Sequence, residues 1–260
     1  FVKEGYGTIG TGTTLRGSFQ VGDSVQILGD ELEPVAELKI RGLQSLGSAQ
    51  ETVLAGMRSA INLTGKDTDA VKRGMTVTTS GAFCSVDSVI AWIEILEQAK
   101  SLEEEGVTAH LGTGEREAHC IPLGTEKIEA GESGSVLLRF DRPIPSFAGQ
   151  KLVLRRPGIH GQATIAGGEV LDPEPPRGKG SVSLAASQAE FLRGNPKERL
   201  RALARESRAA GISRLGVTRR LPPGETKRSA EFLEKKGHLV RIPGPEERWV
   251  DGELVGGIVS

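Results

Sequence analysis

The chain has 260 residues, 37% hydrophobic and 26% charged, with 33 Lys/Arg against 34 Asp/Glu, which describes a soluble globular protein of two or three domains. No apolar run approaches the roughly 20 residues of a membrane-spanning helix. Thirty-five glycines beside 4% aromatics point to many tight turns and much β-structure. Cys84 and Cys120 lie far apart without a C-x-x-C partner, so neither a disulfide framework nor a metal site is expected. No secretory signal opens the chain, and a reducing, cytoplasmic setting fits. It begins at Phe1 inside a strand-like pattern and reads as part of something longer.

Gly5, Gly7 and Gly10 spell G-x-G-x-x-G, a string that cradles a dinucleotide phosphate when a strand precedes it and a helix follows. Here a Thr-rich β-branched run, a Val21-Gly22-Asp23 turn and another apolar run follow, which is strand, turn, strand. The glycines are expected to let a bent strand pass close to neighbouring backbone. Strands are expected over 8–16, 24–28, 36–43, 57–62 and 75–79, with turns at Gly22-Asp23, Gly29-Asp30 and Gly65-Lys66-Asp67. Short strands at this spacing make residues 1–83 a first barrel. A second set over 86–96, 107–112, 116–123, 134–140, 151–155 and 162–171 makes residues 84–172 a second barrel.

Residues 173–186 read as a Pro/Gly-rich linker, after which the apolar period changes from two to about 3.6. Asn195-Pro196 with Glu198 starts a helix, and Gly211 ends it. Helices are expected over 213–220 and 226–236, then a two-stranded wing over 238–242 and 248–250. Three helices and a hairpin make residues 187–260 a winged helix. The fold class is thus mainly β with a C-terminal α+β part. From Arg177 onward there are 17 Lys/Arg against 10 Asp/Glu, leaving 16 against 24 before it. An acidic body with a basic end points toward nucleic acid, or equally to a solvated helical surface.

Gly5-Tyr6-Gly7-Thr8-Ile9-Gly10-Thr11-Gly12-Thr13 and Val21-Gly22-Asp23 resemble the start of the second domain of translational GTPases such as elongation factor Tu. Arg41-Gly42-Leu43-Gln44, residues 55–63 and Lys72-Arg73-Gly74-Met75 continue the likeness in order. Thr164 to Pro173 resembles the end of the third domain of selenocysteine-specific elongation factors, with Ala166 where that family usually carries a third glycine. A winged helix behind a proline linker fits the same family. The resemblance implies two tandem barrels, and partners in selenocysteyl-tRNA, the ribosome and, through distal winged helices not found here, an mRNA insertion hairpin. It implies a monomer with no membrane partner. The sequence has no G-x-x-x-x-G-K-[ST], so the family's GTPase domain is not in it. The chain as given is expected to be no enzyme and to hold no cofactor, GTP and Mg²⁺ belonging to that domain.

The resemblance also assigns residues. Arg58 stands at the arginine of the family's Ala-Gly-x-Arg motif, where a fixed cation would favour an ionised selenol over a serine hydroxyl. A cross-strand ion pair is the competing reading. Tyr6 borders that pocket or packs at a strand start. Arg155, Arg156 and His160, around Pro157-Gly158, would offer positive donors to the tRNA T-stem. Lys227, Arg228, Lys235 and Lys236 lie on the third helix of the winged unit, its usual nucleic-acid face, with Arg219 and Arg220 ending the second; spacer helices carry such charges too. His119 and Cys120, adjacent on a strand, point to opposite faces and make no catalytic pair. An enzyme using the glycine-rich start, another barrel-bearing translational GTPase and a winged-helix DNA regulator with barrel sensors are the alternatives.

Overall fold

A computed structural model describes residues 2–3, 7–79, 83–156, 163–221 and 225–256. The chain divides into two units, Phe1–Ser85 with Pro143–Pro145, and Val86–Arg142 with Ser146–Ser260.

The first unit contains β1 (Val2–Lys3), β2 (Gly7–Thr13), β3 (Ser18–Gln20), β4 (Ser24–Leu28), β5 (Ala36–Ser45), β6 (Ser48–Gln50), β7 (Thr52–Leu54), β8 (Arg58–Thr64) and β9 (Thr76–Thr79). The main sheet is antiparallel in the order β1-β2-β8-β5-β4-β9, with β6 on β5, while β3 and β7 pair separately. No pairing among the described residues closes this sheet. Strand β5 shows how sequence period becomes a core. Leu38 and Ile40 alternate inward, a bulge at Ile40/Gly42 inserts one residue, and the phase resumes with Leu43 inside. Val25, Ile27, Val53, Ile61 and Leu63 complete that core.

The glycine-rich opening is strand from Gly7 to Thr13, and the next element is again a strand, so no helix N-terminus meets it. The reason expected for these glycines is corrected at Gly10, where a Cβ meets no atom within 4 Å, as at Gly12, so neither is there for close backbone approach. The approach occurs at Gly168 instead.

The second unit begins with a closed six-stranded barrel. Its strands are β10 (Cys84–Ile95), β11 (Glu105–Leu111), β12 (Gly114–Pro122), β13 (Ser133–Ser146), β14 (Lys151–Arg156) and β15 (Ala163–Asp172), in the order β10-β13-β12-β11-β14-β15 and back to β10. A Cβ on Gly168 of β15 would sit 2.0 Å from the Trp92 carbonyl oxygen of β10, so only glycine permits these two strands to close the cylinder. On β13 four successive residues, Ser135 to Leu138, are buried. Alternation fails there because the outer face is covered too.

The cover is α1 (Ser181–Leu192), which starts inside the segment expected as linker. Ala185, Ala189 and Leu192 pack on Ile90, Ile121, Leu123, Leu137 and Leu171 of the barrel. The rest of the helical part runs α2 (Pro196–Glu206), β16 (Ile212–Ser213), α3 (Arg214–Arg220), α4 (Glu225–Lys235), β17 (Leu239–Ile242), β18 (Arg248–Asp251) and α5 (Gly252–Gly256). Asn195 caps α2, accepting from the Lys197 and Glu198 amides, while Glu198 accepts from the Asn195 amide. The sheet order is β16-β18-β17, and Leu200, Leu203, Val217, Leu221, Leu233, Leu239 and Trp249 form the core.

Two carboxylates tie this core's rim. Asp251 accepts from Arg201 Nε at 3.0 Å and Arg205 Nε at 2.9 Å. Glu234 accepts from Arg241 Nε at 3.1 Å and Trp249 Nε1 at 2.5 Å. Burial acts against both charges, and these hydrogen bonds outweigh it, so both groups titrate below their ordinary values. A depressed folded pKa gives stability that is complete above the unfolded value, about pH 4, and lost as pH falls through the folded one. The melting temperature is expected to hold steady from pH 7 to about 5 and to drop below about pH 4. In melts across pH, Asp251→Asn should start lower at pH 7 and fall less steeply.

Candidate RNA-contacting residues

Arg58 opens β8 directly after a tight turn. Gly56 takes φ 89°, its amide donates to the Thr14 carbonyl at 2.8 Å, and the Thr14 amide donates to the Met57 carbonyl at 3.0 Å. Only glycine takes that left-handed turn without strain, which accounts for the Ala-Gly-x-Arg pattern. The Ser45 hydroxyl donates to the Arg58 carbonyl at 2.9 Å and fixes the strand start. The Arg58 side chain is exposed, and among the described residues it has no carboxylate partner. Tyr6, the other residue assigned to this pocket, lies outside the described residues, as do His160 and Pro157-Gly158.

Of the second-barrel arginines, Arg156 is held inside the protein. Arg156 donates through Nε to Glu105 at 2.7 Å, through Nη2 to the same carboxylate, and through Nη2 to the Ser101 carbonyl at 3.0 Å. The hydrogen bond to Glu105, working against partial burial, raises the Arg156 pKa. This guanidinium is engaged within the barrel, pairing β14 with β11. Arg155 precedes it on β14 and is half-buried. His119 is exposed with Nε2 2.8 Å from Glu104 Oε1, while Cys120 is buried. The two do face opposite ways, and burial pushes the Cys120 thiol up to about 12, which leaves no thiolate for chemistry.

On α4, Lys227, Arg228 and Lys235 are exposed, as is Lys236 just beyond it. Lys227 lies 3.9 Å from Glu231, one turn on. The two arginines ending α3 are not part of that face. Arg220 is buried, donating through Nε to Asp172 Oδ1 at 2.9 Å, through Nη2 to Asp172 Oδ2, and through Nη2 to Glu206 at 2.9 Å. Burial works against its charge, but Asp172 and Glu206 more than reverse that and raise its pKa. Arg219 lies 3.5 Å from Glu174, and its carbonyl accepts from the Ala148 amide at 3.1 Å. Asp172 ends the barrel's last strand, so this cluster fastens α3 to the barrel. Arg193, at the end of α1, stacks 3.6 Å from the Trp92 ring centroid on β10. The spacing of charges along the chain does not signal this joint, because Arg220 and Asp172 lie 48 residues apart. Among the described residues no group of His, Cys, Asp and Glu could hold a metal ion, and no helix is long and apolar enough to cross a membrane.

No protein-family model matches the chain. It is 29% identical over 175 residues to a selenocysteine-specific elongation factor of Desulfomicrobium baculatum, covering 66% of this chain and 27% of that protein. It is 30% identical over 180 residues to elongation factor Tu 2 of Streptomyces avermitilis, covering 65% of this chain and 43% of that protein. It is 26% identical over 241 residues to the selenocysteine-specific elongation factor of Escherichia coli, covering 92% of this chain and 36% of that protein. The crystal structure of translation elongation factor SelB from Methanococcus maripaludis, apo form, shares the fold with a TM-score of 0.54 at 19% identity, over 67% of this chain and 41% of that one. The chain is thus similar in sequence to translation elongation factors. Within that class it resembles the selenocysteine-specific elongation factors across most of its length, and it spans between about a quarter and somewhat under half of the curated relatives it matches.

Proposed function

We propose that the chain is the tRNA-gripping body of a selenocysteine-specific elongation factor, made of two tandem barrels and a winged helix. It binds selenocysteyl-tRNA for delivery to the ribosome at recoded UGA codons. GTP binding and hydrolysis belong to a separate N-terminal domain, and reading of the mRNA hairpin belongs to further winged helices. The chain itself performs no covalent chemistry and needs no cofactor. It acts as a monomer in the cytoplasm.

One observation carries this reading. The alignment with the Escherichia coli selenocysteine-specific factor covers 92% of the chain, which takes in most of the helical part, whereas that with elongation factor Tu covers 65%. Arg58 supports it physically, as an exposed strand cation with no carboxylate to neutralise it among the described residues. A selenol is largely ionised at neutral pH and a serine hydroxyl is not, so such a cation separates the two by charge.

Grip on tRNA is grip on phosphates, and counterions leave when it forms. Filter binding of the protein to aminoacyl-tRNA should therefore give log affinity falling linearly with log salt, with a slope of several units. Affinity indifferent to salt, or binding of duplex DNA ahead of tRNA, would contradict the reading.

A further inference from the structure

Helix α4 leaves an aromatic side chain partly exposed. Phe232 is 42% exposed, while Ala230 and Leu233 beside it are buried in the helical core. Lys197, from the first turn of α2, places its Nζ 3.7 Å from the Phe232 ring centroid. Arg228 and Lys235 stand four residues before and three after Phe232, a spacing that puts all three on one side of the helix. Lys236 follows at the helix end.

The charge here is surplus. Arg228, Lys235 and Lys236 are exposed and make no ion pair among the described residues. The carboxylates of α2 and α4 are otherwise occupied. Glu198 closes the capping box, Glu206 holds Arg220, Glu231 faces Lys227, and Glu234 holds Arg241 and Trp249. Glu225 stands in the first turn of α4, at the positive end of the helix dipole.

We propose that this face binds single-stranded RNA, with backbone phosphates on Arg228, Lys235, Lys236 and Lys197 and one unpaired base stacked on Phe232. A duplex offers phosphates but keeps its bases stacked on one another, which would leave the ring unused. An acidic peptide uses the cations but brings no base to lay against the ring. A strand with unstacked bases uses both features. The inference rests on reading the chain as an RNA-handling factor of translation and deepens it, naming an RNA contact on the helical part as well as on the first sheet.

The test is fluorescence anisotropy of the whole chain with a labelled, unstructured RNA of about ten nucleotides, within the usual site size. Phe232→Ala should weaken binding about tenfold and leave the salt slope unchanged. Phe232→Tyr should keep wild-type affinity. Arg228→Gln with Lys235→Gln should lower the salt slope by about 1.4, or about 0.7 per lost phosphate contact on a single strand. Both positions are exposed, so melts should show all variants folded. Wild-type affinity in Phe232→Ala, an unaltered slope in the charge variant, or equal affinity for an RNA or DNA duplex of the same length would overturn the proposal. A parallel titration with aminoacyl-tRNA separates the two ideas. If the oligonucleotide behaves as described and the tRNA does not bind, the elongation-factor reading falls and this one stands.

Discussion

Arg220→Met should lower the stability of the second unit by about 3–5 kcal/mol, because it leaves a buried carboxylate without its cation. The Asp172 side chain is fully buried and that of Arg220 is 8% exposed, so neither can turn to water when the other is removed. Asp172 also accepts from the Glu174 amide at 2.9 Å, which begins the proline-rich segment with an Asx turn. Arg220→Met with Asp172→Asn keeps that turn and removes the stranded charge, so it should recover much of the loss. A double-mutant cycle by urea denaturation measures the coupling. The single variant should melt roughly 10 °C lower, taking a few degrees per kcal/mol for a unit of this size. A single variant within about 0.5 kcal/mol of wild type, the ordinary effect of a surface substitution, would show that this cluster fastens nothing.

Gly168→Ala should be as damaging by another route. Its Cβ would meet the Trp92 carbonyl oxygen at 2.0 Å and the Ile93 Cα at 2.8 Å. Both are backbone atoms, so the overlap is relieved only by drawing β15 off β10, and those strands close the barrel. A loss of about 3 kcal/mol or more is expected, at or beyond the upper end for overpacking. Gly12→Ala is the matched control, since no atom lies within 4 Å of its Cβ and the residue sits in a strand. There the reduced freedom of the unfolded chain should leave stability unchanged or raised by about 0.5 kcal/mol. Equal melting temperatures for the two variants would refute the close-approach argument.

These two positions mark where the sequence could be read and where it could not. Local signals served well. Asn195-Pro196-Glu198 announced α2, Gly22-Asp23 announced a turn, and the two-residue period located β5, whereas the short strands β3, β6 and β7 were not expected. Helix α1 was hidden because the stripe it buries is half alanine, with Leu192 its one large apolar residue, and its N-cap is Gly180 with no side-chain cap. Glycine roles were misplaced because close approach depends on which strand lies alongside, which composition does not reveal. The same holds for charge. Arg156 read as a donor for RNA and Arg220 as the end of a helix, yet their carboxylates, Glu105 and Asp172, come from 51 and 48 residues away. Arg228, Lys235 and Lys236, by contrast, remain exposed without ion-pair partners among the described residues.

The proposed preference for selenocysteyl-tRNA turns on Arg58 acting on the charge of the aminoacyl group. The most direct measurement compares the affinities of the full-length protein for selenocysteyl-tRNA and seryl-tRNA, with and without Arg58→Gln. Wild type should favour selenocysteyl-tRNA strongly, and the variant should lose about tenfold of that preference, the worth of roughly 1.4 kcal/mol of charge interaction in a partly desolvated site. Equal affinity of the wild-type protein for the two tRNAs, or a preference untouched by Arg58→Gln, would contradict it.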